Sequence, residues 1–134
     1  MPAIKHRQDL RQHGHGRLNI DQYQITIDGD GQSAEQFFAH LRKNLNEIIF
    51  KGTDYSLKPY DSVNSRRWAS AKPLGAVMVF TLAAVTDDLP LERGAVFVSC
   101  STGSDMVFST LEMIPYGVHP VAGNRAFGVV KNSD

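Results

Sequence analysis

Two apolar periods follow one another along this chain, and the change between them outlines its architecture. From Ser33 to Gly52, the residues Ala34, Phe37, Phe38, Leu41, Leu45, Ile48 and Ile49 recur at spacings of three and four, while Arg42, Lys43, Asn46 and Glu47 take the other side. That is the period of an amphipathic helix with one stripe turned toward a core. Ser33 followed by Gln36 has capping-box spacing, and Gly52 suits a left-handed cap at the far end. The pattern predicts one main helix over 33–50, laid across an apolar surface.

The second half of the chain changes period. Residues 74–85 are apolar almost without interruption, as in a central strand covered on both faces, with Pro73 and Gly75 at the start. Asp87-Asp88-Leu89-Pro90 predicts a turn. Residues 95–100 and 106–113 flank Ser101-Thr102-Gly103-Ser104, which has the composition of a hairpin loop. Pro115 and Pro120 bracket another turn, and residues 125–131 read as a last strand.

Ahead of the helix, residues 17–27 read as extended. Leu18 and Ile20 share one phase and Tyr23, Ile25 and Ile27 the other, with a bulge or break at Asp21-Gln22. Asp28-Gly29-Asp30-Gly31 is turn chemistry. Residues 51–72 have no period; their Tyr55, Tyr60 and Trp68 predict an ordered loop packed over a sheet edge. Residues 1–16 are polar, with Lys5, Arg7, Arg11 and three histidines, and read as a mobile tail. The expectation is an α+β domain over 17–134, an antiparallel sheet of four to six strands carrying one main amphipathic helix.

Charge narrows the choice of partners. Fourteen basic residues balance fourteen acidic ones, so no net field draws the chain to DNA, RNA or an acidic membrane, and a nucleic-acid partner is not expected. The longest apolar run is far shorter than the roughly 20 residues a spanning helix needs. The single cysteine, Cys100, excludes a disulfide framework within the chain. No apolar signal-peptide core follows Met1, which points to the cytoplasm, with export by another route left open.

Most candidate chemistry dissolves on inspection. Cys100 alternates with Val96 and Val98, which places it on an aliphatic face as an inert packing group rather than a nucleophile served by His119. His13-Gly14-His15 lacks the third ligand a zinc site requires. Counting an EF-hand from Asp28 puts Ser33 and Ala39 where Gly and Glu belong, so the calcium pattern fails. No P-loop, Rossmann glycine pattern, His-Glu-x-x-His or Cys-x-x-Cys is present, and no metal or cofactor is expected.

Two groups survive as ligand-binding candidates. Arg66-Arg67-Trp68, with Tyr60 nearby, places a guanidinium fork beside aromatic rings, suited to an anion or to a structural contact. The stretch from Gly117 to Gly128 concentrates His119, Asn124 and Arg125 beside turn-formers. His119 is held extended by Pro120, Asn124 suits a turn, and Arg125 shares a strand face with Phe127 and Val129. Facing inward, Arg125 needs a partner for its charge; facing outward, it ends an edge strand. Gly128, on the opposite face, admits a close neighbour.

Three functions fit these residues. The foremost is a non-catalytic binding module for a small anionic or amphipathic ligand, using His119, Asn124, Arg125, Trp68, Tyr60 and Arg67. The second is an interaction or assembly protein that pairs through an edge strand, as a homo-oligomer or with another protein. The third is a small enzyme with His119 as acid or base and Arg125 as anion stabiliser. Asn132-Ser133-Asp134 is either a polar tail or an interrupted hairpin, the latter leaving the last strand with an open edge.

Overall fold

The computed structural model describes residues 3–8, 22–82, 92–114 and 122–131. In chain order the elements are β1 (Ala3–Arg7), α1 (Ala34–Lys43), α2 (Leu45–Ile48), β2 (Tyr55–Pro59), α3 (Ser62–Ala69), β3 (Val77–Leu82), β4 (Glu92–Ser101), β5 (Asp105–Ile114) and β6 (Asn124–Gly128). The strands form one curled antiparallel sheet in the order β1-β5-β4-β3-β2, with β6 also paired to β5. The α+β class is therefore as expected.

Local signals set the helix start and the hairpin. Ser33 Oγ accepts from the Gln36 backbone N–H at 3.1 Å while Gln36 Oε1 accepts from the Ser33 N–H at 3.0 Å, a complete capping box. The helix is not continuous: Asn44 breaks it, donating its amide back to the His40 carbonyl at 2.9 Å, and α2 adds one further turn. Between β4 and β5, Thr102 closes the loop, accepting from the Ser104 and Asp105 N–H groups and donating to the Asp105 carboxylate at 2.5 Å. Asp30, at φ 55°, and Gly31, at φ 78°, make the predicted turn before α1.

The sheet is buried on both faces. On the helix side, Phe38 and Leu45 pack on Met78, Val96, Val98, Met106 and Phe108; on the other side Val77, Ala95, Leu111 and Met113 form a second cluster. Val77 and Met78 are successive residues exposed by only 4% and 1%. A strand with both phases buried is central, which the uninterrupted apolar run had implied.

Several expectations are corrected. Residues 3–7 of the predicted mobile tail are strand β1, hydrogen-bonded along β5; residues 9–16 lie outside the described residues. Residues 22–29 are not a strand despite their alternation, and Tyr23, Ile25 and Ile27 stand 80%, 80% and 55% exposed. Residues 51–72 are not a loop: β2 pairs with β3 as the edge, and Asp61 caps α3. The last strand ends at Gly128. The predicted turns at 87–90 and 115–120 lie outside the described residues.

Cys100 is exposed rather than in the core. Val98 pairs with Phe108 but Cys100 pairs with Val107, so a bulge at Ser99 slips the phase and turns the sulfur away from Val96 and Val98.

The helix face assigned to solvent is also corrected at Arg42 and Asn46. Arg42 is buried: its guanidinium donates to the carbonyls of Trp68 and, at 3.0 Å, Ser70, and lies over the Trp68 ring at 5.2 Å. Those carbonyls are the unsatisfied end of α3, where a cation is favoured. Burial pulls the Arg42 pKa below its ordinary value.

Asn46 reaches β2. Its Oδ1 accepts from the Leu57 N–H and its Nδ2 donates to the Leu57 carbonyl, both at 2.8 Å, so one side-chain amide imitates a neighbouring strand. Asn46→Ala strands both groups of Leu57, a residue buried at the sheet edge. The expected cost is about 1–3 kcal/mol, and chemical denaturation of the wild type and variant measures it; an unchanged midpoint would mean water replaces the amide freely.

Candidate interaction edge and adjoining cleft

An antiparallel sheet leaves one row of N–H and C=O groups unpaired along each outer strand. The two edges of this sheet meet that constraint differently. On β2, Tyr60 donates to the Val77 carbonyl, so by ladder alternation the N–H groups of Tyr55, Leu57 and residue 59 point outward. All three are closed. The Tyr55 N–H goes to Thr53 Oγ1 at 3.2 Å, Leu57 is held by Asn46, and Pro59 has no N–H to offer.

The opposite edge is shared by two strands laid end to end. Beyond Arg7, the Gln8 N–H donates to the Thr110 carbonyl at 2.9 Å, and the Thr110 N–H donates to the Gly123 carbonyl at 3.1 Å as β6 begins. Thr110 Oγ1 donates to the Gln8 carbonyl at 2.7 Å and accepts from the Gly123 N–H at 3.0 Å. A single buried threonine thus joins the end of β1 to the start of β6.

One residue earlier and on the other face, fully buried Ser109 donates to Asn124 Oδ1 at 2.6 Å and shares a 2.7 Å contact with Ser99 Oγ. Arg7 donates to both Ser109 Oγ and Asn124 Oδ1, at 3.2 and 3.3 Å, with its guanidinium 5.8 Å from the centre of the Phe97 ring.

Along β6 the ladder leaves groups open. Val129 donates inward to the Ser104 carbonyl, so Arg125 and Phe127 also bond inward to β5 while Asn124, Ala126 and Gly128 direct their backbone groups outward. No described residue pairs with those outward groups. Gly128 allows a close approach within the sheet: a Cβ there would lie 3.1 Å from Asp105 Cβ, so a larger residue requires Asp105 to shift.

The sequence-selected residues fall in different places. Arg125 is exposed on β6, opposite Phe108 and on the face of Phe127, and its side chain has no ion-pair partner among the described residues. The face Arg125 shares with Phe127 and Val129 is turned to the core, but Arg125 itself stands exposed near the start of the strand, and the buried arginine among the described residues is Arg42. Trp68 lies near the same spot, its ring 5.8 Å from Phe108, which in turn meets Phe127 edge-on at 5.8 Å. The Trp68 ring is occupied by Arg42 and Phe108. Asn124 spends its carbonyl oxygen on Ser109 and Arg7. Tyr60 packs with the cluster on the opposite face. His119 lies outside the described residues.

Arg67 belongs to a separate open cleft of about 340 Å³ lined by Ile4, Asp61, Val63, Asn64, Gly75 and Val77. The curl of the sheet brings Ile4 of β1 to this side of α3. Asn64 is buried in its wall: its amide donates to Asp61 at 2.8 Å and its carbonyl oxygen accepts from the Val77 N–H at 2.8 Å. The Asn64 backbone N–H, followed by its side-chain amide, holds the Asp61 carboxyl below its ordinary value of 3.8.

Arg7, Asn46, Ser99, Ser109 and Thr110 supply side-chain hydrogen bonds at the two edges, and no motif in the sequence marks them. Each is a common surface residue type whose partner lies on another element, from 8 positions away for Ser99 and 11 for Asn46 to 117 for Arg7 and Asn124. Among the described residues no cluster of His, Cys, Asp or Glu can hold a metal, and no helix is long and apolar enough to cross a membrane.

The depressed Asp61 value fixes a sign for pH dependence. Its cap stabilises fully above 3.8 and is lost as pH falls through the lower folded value. The stability advantage of the wild type over Asp61→Ala should therefore shrink as the pH falls below 3.8. Thermal melts above and below that value check it, and an advantage independent of pH would refute a charge-based cap. No known family model, curated protein or solved structure matches this chain.

Proposed function

We propose that this protein is an interaction module that accepts an extended strand from a partner along β6. The observation that carries this reading is the contrast between its edges: β2 is closed by Asn46, Thr53 and Pro59, while on β6 the outward backbone groups of Asn124, Ala126 and Gly128 have no partner among the described residues. Strand addition supplies main-chain hydrogen bonds, and the neighbouring side chains supply selectivity. Here the selecting surface is Phe127 and Arg125 on one face and Asn124 on the other.

A panel of short peptides with alternating apolar and polar residues tests the reading. At least one should shift and protect the amides of Ala126 and Gly128 in NMR titration, and Ala126→Pro should weaken it by about tenfold or more, because proline removes an outward donor while sparing the ladder to β5. Perturbations confined to other surfaces would refute an acceptor role for β6.

A second reading, a site for a small amphipathic anion, is favoured by the cleft beside α3. Ile4, Val63 and Val77 offer apolar walls, and Arg67 at the rim offers a guanidinium whose hydrogen bond among the described residues, to the Gly75 carbonyl, is a long 3.5 Å. Decanoate should raise the melting temperature of the wild type and not of Arg67→Ala. An equal rise in both would dismiss Arg67 as the anchor.

A further inference from the structure

Residues 22–28 present the complement of the open edge. Tyr23, Ile25 and Ile27 alternate with Gln22, Gln24, Thr26 and Asp28, a run rich in residues that favour strands. Yet the segment belongs to no strand, all seven residues are exposed, and none of its backbone groups is paired among the described residues. Apolar side chains grouped this way in solvent mark an interaction segment.

We propose that residues 22–28 of a second copy of this chain add to β6, antiparallel, so that two copies exchange these segments reciprocally. The inference rests on the reading of β6 as a strand acceptor and names its occupant. Alternation sets the faces: with Ile25 opposite Phe127, Ile27 meets Arg125 and Thr26 meets Ala126, and the apolar side chains extend the row of Phe127 and Phe108. The paired backbone groups are then those of Gln24, Thr26 and Asp28 with Gly128, Ala126 and Asn124, the three positions that β5 leaves open.

Charge selects the direction. Antiparallel addition carries Asp28 and Asp30 to the start of β6, where Arg125 is exposed and Arg7 lies within hydrogen-bonding reach of Asn124. Parallel addition would carry them to Gly128, whose register partner is Asp105. Two arginines lie at the first end, whereas Asp105 and exposed Lys131 offset each other at the second. The other edge offers no competing site, because each outward N–H position of β2 is already closed. Two-fold exchange uses the same pair of surfaces twice and ends at a dimer.

The test is light scattering on the full chain after size exclusion. At about 0.1 mM the wild type should run at twice the 14.8 kDa chain mass. Ile25→Asp, altering the donor at a side chain 80% exposed, should raise the dimer dissociation constant by about tenfold or more, and Ala126→Pro, altering the acceptor, should do the same. Mixing the two variants should restore a heterodimer, since one retains an acceptor and the other a donor. A wild type that stays monomeric, or a dimer indifferent to both substitutions, overturns the proposal. In the monomeric case, peptide binding at Ala126 and Gly128 leaves the strand-acceptor reading standing, and its absence removes both.

Discussion

The amide of Asn46 holds together two things the rest of the structure depends on. It docks the end of the helical layer onto the sheet, and it pairs both backbone groups of Leu57 where the sheet would otherwise end in unpaired polar atoms. Buried backbone groups must find partners, and at an edge there is no next strand to supply them. Because Asn46, Thr53 and Pro59 together close β2, the exposure of backbone on β6 becomes a difference between two edges of one sheet. A difference of that kind carries more meaning than an open edge alone.

The same need for partners explains the remaining polar clamps. Arg42 satisfies the last carbonyls of α3, Asn64 ties the first turn of that helix to the start of β3, and Thr110 serves the ends of two strands at once. None of these is a surface ion pair of the weakly stabilising kind. Each joins segments distant in sequence and fixes how a helix or strand is set against the sheet. Apolar burial drives the collapse of the two clusters, and these clamps specify its geometry.

The mistaken readings share a cause. Alternation in residues 22–28 is a true strand pattern, but a strand exists only when another supplies its hydrogen bonds, and none of the described chain does. The phase of Val96, Val98 and Cys100 was read correctly up to the bulge, which depends on how β4 meets β5 and leaves no mark in composition. Arg42 sat on the polar side of a helical projection because α3, the element that covers that flank, was itself hidden among residues without a period. Beside β6, Arg125 and Asn124 stand in a turn-rich stretch that the sequence marks, whereas Ser109 and Thr110 lie unmarked inside a strand.

What the sequence determined by itself was everything that acts over a few residues: the capping box at Ser33, the turn at Asp30-Gly31, the Thr102 loop, and a strand apolar enough to lie between two others in the sheet. These depend on side chains reaching backbone groups of near neighbours, and on the period of the chain. Only the tertiary structure decided which edge is sealed, where the register slips, and which arginine is buried. Those outcomes turn on partners that other elements supply, 11 positions away for Asn46 and 26 to 28 for Arg42, and such partners are chosen by how the layers close on one another.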